Sequence, residues 1–537
     1  MRCLITMLTC FVVGSGFAQN LAPNPGAEVV DGKLPGFALY TGAGAATVTP
    51  SLTEKHSGAG SACLDVTGWY HRPADPDTPA NRTVNMSLVL AENDGFSAKG
   101  ALPGKAGALV AISFWYKGDL PSATVRGMAW PGADGGQADR IYLSGLAETI
   151  APAPEWKPFG ATFRLPEGAR YFAVQINANG RESDGYKLGK LYVDDVRIVP
   201  KSWPDGEMRA VWWWGPTERA DREKCLAEST ALLDRLKATG FNTILLSVNA
   251  LYLAALERPE LREKAPGAEW DYWGSLVKLA TERGLQVHAW YAPWTYKRAH
   301  RSVELLDHPD WNAVYAGGRV AADALCFVRP ESRQFQLDLL QRMLARCPDL
   351  AGLHIEEPGH PTCHCAYCAK LAREWLGLDI VADPAGTEVS LRNLAAYMNG
   401  DFFARLRQMV NQQRPEVWLS ANGSAGANPD WNIARDWPTW SRRGYMDFYL
   451  PQIYTEDVGR FTTLARETQG ALGDGNMVAG MAASWTGIYP RRQDPAHLVA
   501  EIRSARQLGA KGFCIFRAAL FEEPHWEALA RVIKEQP

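Results

Sequence analysis

From residue 208 onward, short apolar runs and helical patterns alternate until the chain ends, and few folds accommodate that order. The apolar runs occur at 209–214, 243–249, 285–291, 351–356, 416–422, 446–453, 477–483 and 512–517. Helical patterns lie between them, for example at 222–238, 332–346, 391–413, 495–508 and 526–535. Gly240, Gly284 and Gly509 fall between a helix and the next strand, where a helix stop is needed. Eight strands with intervening helices predict a (β/α)8 barrel over 208–537. A doubly wound open sheet is the alternative, but no Gly-rich phosphate turn follows the first strand.

Upstream the chain has a different character. Residues 21–199 are rich in Gly, Pro, Thr and Val and poor in helical periodicity. Runs such as 108–116 and 171–176 read as strands, separated by turn residues at the spacing of a β-sandwich. Pro200-Lys-Ser-Trp-Pro-Asp-Gly206 reads as a linker, so 200–207 divides an all-β domain from the barrel. Asn24-Pro-Gly-Ala-Glu28, Ser57-Gly-Ala-Gly-Ser61 and the run 191–199 resemble, in order, the galactose-binding-like jelly rolls. That resemblance implies a carbohydrate-binding-module-like domain, with Trp69, Tyr70, Trp115 and Trp130 as candidates for a sugar platform. A domain that only braces the barrel is the competing reading.

Residues 1–18 read as a secretory signal. Arg2 is the positive start, residues 4–13 are mostly apolar, and Gly16-Phe17-Ala18 resembles a cleavage site. That apolar run is too short to span a membrane and no later stretch is long enough, so a secreted or periplasmic protein is expected. A net charge of −3 and the lack of a basic run argue against a nucleic-acid partner. The 20 Trp residues favour a carbohydrate partner, because an indole face stacks on a pyranose; burial in large cores is the competing use.

Alternation along a barrel strand separates side chains facing the helices from those facing the axis. In Gly352-Leu-His-Ile-Glu356, Leu353 and Ile355 belong against helices. His354 and Glu356 then face inward, with Glu356 at the carboxyl-terminal mouth, while Glu357 points away or turns into the loop. Likewise Val287 and Ala289 face out, and His288 and Trp290 face in. Ser247 and Asn249 share one face, as do Ser420 and Asn422. Several strands thus deliver polar residues to the end where barrel enzymes carry their chemistry. Asp447 begins its strand and reads as structural, at the opposite end.

Six segments carry a more specific resemblance. They are Arg209-Ala-Val-Trp212, Val287-His-Ala-Trp290, Phe327-Val-Arg-Pro-Glu-Ser332, Gly352-Leu-His-Ile-Glu356, Met446-Asp-Phe-Tyr-Leu-Pro-Gln-Ile-Tyr454 and Gly509-Ala-Lys-Gly-Phe513. In this order they resemble the glycosyl hydrolase-like family 10, exported bacterial barrel proteins regarded as glycosidases. The resemblance implies hydrolysis of a glycan, either peptidoglycan or an environmental polysaccharide. The family commonly has Asp where Glu356 and Glu357 stand; the longer carboxylate keeps the chemistry and moves its oxygens.

Glycoside hydrolysis needs two carboxyl groups and no catalytic cofactor. Glu356 is the candidate acid/base, with a structural ion pair as its competing role. Glu456, just past the sixth run, is the candidate partner and Glu357 its rival. Asn249, His288, Trp290, Tyr291, His354, Asn422, Gln452, Tyr454 and Trp485 are candidate substrate-binding groups. A non-catalytic glycan-binding scaffold with a degenerate barrel is the alternative function. Beside the fourth run, Cys363, Cys365 and Cys368 with His360 would satisfy tetrahedral zinc in a structural clip. A disulfide, with Cys326 as an available partner, and free thiols are the other readings.

Overall fold

A computed structural model describes residues 20–30, 34–40, 44–69, 83–91, 97–181, 185–203, 206–293, 307–359, 362–473, 475–484 and 493–535. The signal-like residues 1–18, Tyr70, His360 and Trp485 lie outside the described residues.

The first part of the chain forms two antiparallel sheets. One contains Ala38–Tyr40, Thr83–Val89, Tyr171–Arg181, Ala123–Trp130 and Ile141–Ile150 in that order, with Leu102–Pro103 off the path. The other runs Gly44–Ser51, Ser61–Trp69, Gly189–Lys201, Leu109–Gly118 and Ala153–Arg164. Alternating apolar residues from both sheets, such as Val110, Ile112 and Phe114 against Val125, Val174 and Ile176, pack into one core. Two sugar-platform candidates are spent in packing: Trp69 is nearly buried in this core, its indole N–H donating to the Lys187 carbonyl at 3.2 Å, and Trp130 is fully buried in a separate cluster with Val89, Met128 and Ala173. Trp115 is half-buried and stacks on His56, with ring centroids 3.9 Å apart.

The second part is a parallel barrel. Its strands are Met208–Trp213, Thr243–Val248, Gln286–Tyr291, Gly352–Ile355, Trp418–Gly423, Phe448–Pro451, a split seventh strand, and Gly512–Phe516. The seventh comprises Asn476–Met477, which pairs with the sixth, and Ala479–Ala482, which pairs with the eighth. The eighth pairs with the first, so the split strand closes the ring and excludes an open sheet. Helices follow the strands as the periodicity predicts. Arg222–Thr239, for instance, starts on an Asp221 cap and stops at Gly240, whose φ of 104° and close approach to Ile533 exclude a side chain.

Strand parity holds in the packing. Val287, Ala289, Leu353, Ile355, Phe513 and Ile515 join the core between sheet and helices. Trp212, Leu245, Trp290, Phe448 and Cys514 form a separate cluster within the barrel, with Phe516 packed against it.

Pro200 and Lys201, expected in the linker, complete the last sandwich strand. That strand ends at the barrel floor, where Trp203 stacks on Trp418 at 3.9 Å. Thr162 donates to Asn411 Oδ1 at 2.9 Å, and Arg197 pairs with Glu416 at 3.1 Å, so sandwich and barrel are docked through polar contacts as well. No helix among the described residues is long and apolar enough to cross a membrane.

Candidate active site

The mouth of the barrel is organised around Glu356. Its backbone N–H donates to the Tyr291 carbonyl at 2.9 Å, continuing the pairing of the third and fourth strands by one residue. Asn422 Nδ2 donates to Glu356 Oε2 at 2.8 Å, and the Trp290 indole N–H donates to the same oxygen. Asn422 also accepts the Glu357 N–H at 2.7 Å, so one fully buried amide fixes both the carboxylate and the turn beyond it. At Glu357 the backbone enters the left-handed region, with φ 38°, and carries that exposed side chain out into the loop. Arg435 Nε donates to the Pro358 carbonyl at 2.6 Å and holds the loop from the next layer.

These donors decide what Glu356 can do. Both are neutral, and both address Oε2. Tyr454 feels the charge of this carboxylate. Burial, and then the charge of Glu356, push its hydroxyl well above the usual range, against a hydrogen bond from Gln452. Cys514, facing inward from the eighth strand, is raised by burial and then by Glu356, so it stays a neutral thiol.

An aromatic wall stands beside the carboxylate. Phe516 lies 5.9 Å from Tyr454, 5.9 Å from Trp214 and 6.4 Å from Trp290 by ring centroids. Trp214 is 39% exposed, and the Arg517 guanidinium sits 3.8 Å over its ring. Phe516, Trp214 and Arg517 escaped the sequence reading. Parity along the eighth strand marks Phe516, since Phe513 and Ile515 are the helix-facing pair; no comparable signal marks the other two.

Several expected site residues lie elsewhere. His288 faces inward but is fully buried below the mouth, where Asp447 and Lys201 are its charged neighbours, so it cannot contact a substrate. Burial lowers its pKa to about 3, leaving it neutral. His354 is also fully buried, with Nδ1 2.9 Å from Ser420 Oγ, and supports the mouth from beneath. Tyr291 faces the helices, as its parity with Val287 and Ala289 requires, and its hydroxyl donates to Gln336 on Pro330–Arg346. Asn249 caps the helix Ala250–Glu257 by accepting the Tyr252 N–H at 2.8 Å. Gln452 and Tyr454 are half-buried, and Glu456 is exposed on the loop after the sixth strand. Its neighbour Asp457 caps the helix Val458–Leu472.

The floor carries the second inward carboxylate. Asp447 is buried and receives Lys201 at 2.9 Å, Arg407 at 2.8 Å and the Leu419 N–H at 2.7 Å. Burial alone would raise it; the two cations and the N–H more than offset that and hold it below the ordinary carboxylate range. Burial likewise pulls Lys201 down to about 8, with Asp447 opposing.

Flanking the mouth, Cys326, Cys363, Cys365 and Cys368 are buried with all four sulfurs within 4.8 Å of one another. Cys326 Sγ lies 3.5 Å from Cys368 Sγ and 3.6 Å from Cys365 Sγ. Cys326, named from the sequence as an available disulfide partner, thus stands with the other three cysteines; His360, the ligand expected there, lies outside the described residues. His364, also adjacent, is directed at the Ile380 carbonyl at 3.2 Å.

No curated protein matches the chain. Similar solved structures include a β-galactosidase from the psychrophilic Marinomonas ef1, at 12% identity and a TM-score of 0.46 over 60% of this chain and 58% of that one. An α-L-fucosidase from Paenibacillus thiaminolyticus is similar at 14% identity and 0.45, over 61% of this chain and 49% of that one. A β-galactosidase from Halorubrum lacusprofundi is similar at 15% and 0.46, over 61% and 58%. The chain therefore spans only about half the length of these proteins. Residues 207–473 match the family described as Glycosyl hydrolase-like 10. Over those residues, which form most of the barrel, the chain is similar to that family.

Proposed function

We propose that the protein is an exported glycoside hydrolase that cleaves a glycan at the carboxyl-terminal mouth of the barrel. The observation that carries this is the convergence of Asn422 and Trp290 on one oxygen of Glu356. Neutral donors position the carboxyl without adding a cation's charge, and an acid/base must be held within reach of the leaving oxygen. In the protonated state Glu356 delivers its proton to the glycosidic oxygen. A second carboxylate then attacks the anomeric carbon or activates a water on the opposite face. We assign that role to Glu456, with Glu357 as its rival. A separation of about 5–5.5 Å in the substrate complex means retention, and about 6.5–9.5 Å means inversion.

The half-exposed aromatic wall of Phe516, Tyr454 and Trp214 supplies ring-stacking surface, and Arg517 supplies donors for sugar oxygens. The N-terminal sandwich, read as a jelly-roll carbohydrate-binding module, would hold the polymer near the mouth. Export rests on the signal-like residues 1–18, and the substrate is peptidoglycan or an environmental polysaccharide. A screen of the wild type on peptidoglycan and on plant and algal polysaccharides identifies the substrate. Glu356→Gln, with its melting temperature preserved, is then expected to lose hydrolysis while still binding that substrate. Turnover at the wild-type rate in the variant removes Glu356 from the mechanism. Binding without cleavage by the wild type, across every glycan, indicates a scaffold instead.

A further inference from the structure

We infer that Cys326, Cys363, Cys365 and Cys368 form a closed four-thiolate site for zinc, and that this metal ties together two loops at the barrel mouth. The sulfurs come from separate parts of the chain. Cys326 follows the strand Val320–Leu325, which forms a hairpin with Asn312–Val314 in the connection after the third barrel strand. The other three belong to the loop that Glu356 opens, where Cys365 precedes and Cys368 begins the helix Ala366–Leu376.

The geometry suits a tetrahedral ion. Zinc–sulfur bonds of about 2.3 Å place tetrahedral sulfurs about 3.8 Å apart. The observed separations of 3.5 Å and 3.6 Å from Cys326 lie close to that value, and the whole set falls within 4.8 Å. Sulfur-only donation selects a soft or borderline cation over magnesium or calcium. The surroundings favour thiolates as well. The positive end of the helix Ala366–Leu376 is presented to the cluster, and the Val314 N–H points to Cys363 Sγ at 3.4 Å.

Packing gives the ion a task. The fully buried core around the sulfurs is built on its hairpin side from Ala313, Ala321, Ala324 and Val328, with Val314 and Tyr315 only partly buried against it. Such small side chains bury little apolar area, so they supply little cohesion by themselves. Metal binding provides what they lack, because four ligands from two segments cannot be gathered without ordering both. His364 reinforces the join, since its N–H donates to the Val314 carbonyl at 2.7 Å. With four protein ligands the ion has no open position, so its role is to brace the mouth and not to bind substrate.

The test is independent of the glycosidase reading. The full chain is purified without added zinc and its metal content measured, with about one zinc per chain expected. Cobalt exchange should produce sulfur-to-metal charge transfer and the absorption bands of a tetrahedral ion. Cys326→Ser should lower zinc content to near zero, and a chelator should lower the melting temperature of the wild type. Should Cys326→Ser fail to fold, the cobalt spectrum of the wild type decides. Negligible zinc in the wild type, an octahedral cobalt spectrum without charge transfer, or full zinc content in a folded Cys326→Ser each overturns the proposal.

Discussion

Two carboxylates point into opposite ends of one barrel, and their surroundings differ in kind. Asp447 at the floor is fully enclosed and is matched by two cations, Lys201 and Arg407. Glu356 at the mouth is half-buried and takes its two described side-chain donors from the neutral groups of Asn422 and Trp290. Cations commit a buried carboxylate to its ionised form and to holding structure. Neutral donors fix position and bias the carboxyl less strongly than a cation does. On the proposed reading the barrel keeps its structural charge apart from its reactive one: one end is met by the last sandwich strand, and the other is lined by aromatic rings.

Substitutions can break this comparison at either end. The largest effect expected is at the mouth. Glu356→Gln should lower the turnover of any cleaved glycan by about 10²–10⁴-fold, the usual worth of a general acid/base, with melting unchanged. At the floor, Asp447→Asn leaves Lys201 and Arg407 buried without their counter-charge. It should cost about 3–5 kcal/mol in denaturant unfolding, as breaking a buried ion pair does. An undiminished unfolding free energy would mean that the floor cluster is not structural.

The third prediction concerns pH. His288 is neutral in the fold, with its pKa lowered from 6.5 to about 3. The unfolded chain takes up a proton in that window and the folded chain does not. Stability from this group is therefore complete above pH 6.5 and is lost as pH falls toward 3. At pH 4.5 the loss is about 2–3 kcal/mol. His354, also lowered by burial and by His288, adds to it in the same direction. His288→Leu should flatten the acid limb of melting temperature against pH; an unchanged slope would assign that limb to other groups. The smallest effect belongs to Trp290→Phe, which keeps a ring and removes the N–H to Glu356. Losing that one hydrogen bond should reduce turnover by about tenfold without moving the melting temperature.

Much of this was legible in the sequence, for a physical reason. The period-two alternation of a barrel strand separates Leu353 and Ile355 from His354 and Glu356, and the start of its strand puts Asp447 at the end opposite the mouth, where the structure has it buried between two cations. Parity gives a face but not a depth, which is why His288 and His354 were placed among substrate contacts although they lie beneath them. Tyr291 was misassigned against its own parity. One of the floor's two cations is not legible in the sequence, because Lys201 belongs to the end of the sandwich and meets Asp447 only through the docking of the two parts. Cys326, distant from its three partners in the chain, was recognised as a possible disulfide partner; its place among all four sulfurs depends on how two loops fold together. Arg517 over Trp214 is a pairing that no periodicity announces.

The central claim is that reactivity and stability are divided between the two carboxylates. The most direct measurement takes Glu356→Gln and Asp447→Asn side by side, recording for each the turnover per folded molecule and the unfolding free energy. Glu356→Gln is expected to lose turnover and keep its stability, while Asp447→Asn is expected to lose stability and keep turnover in the molecules that remain folded. Comparable turnover in wild type and Glu356→Gln, with the activity loss appearing only in folded Asp447→Asn, would contradict it.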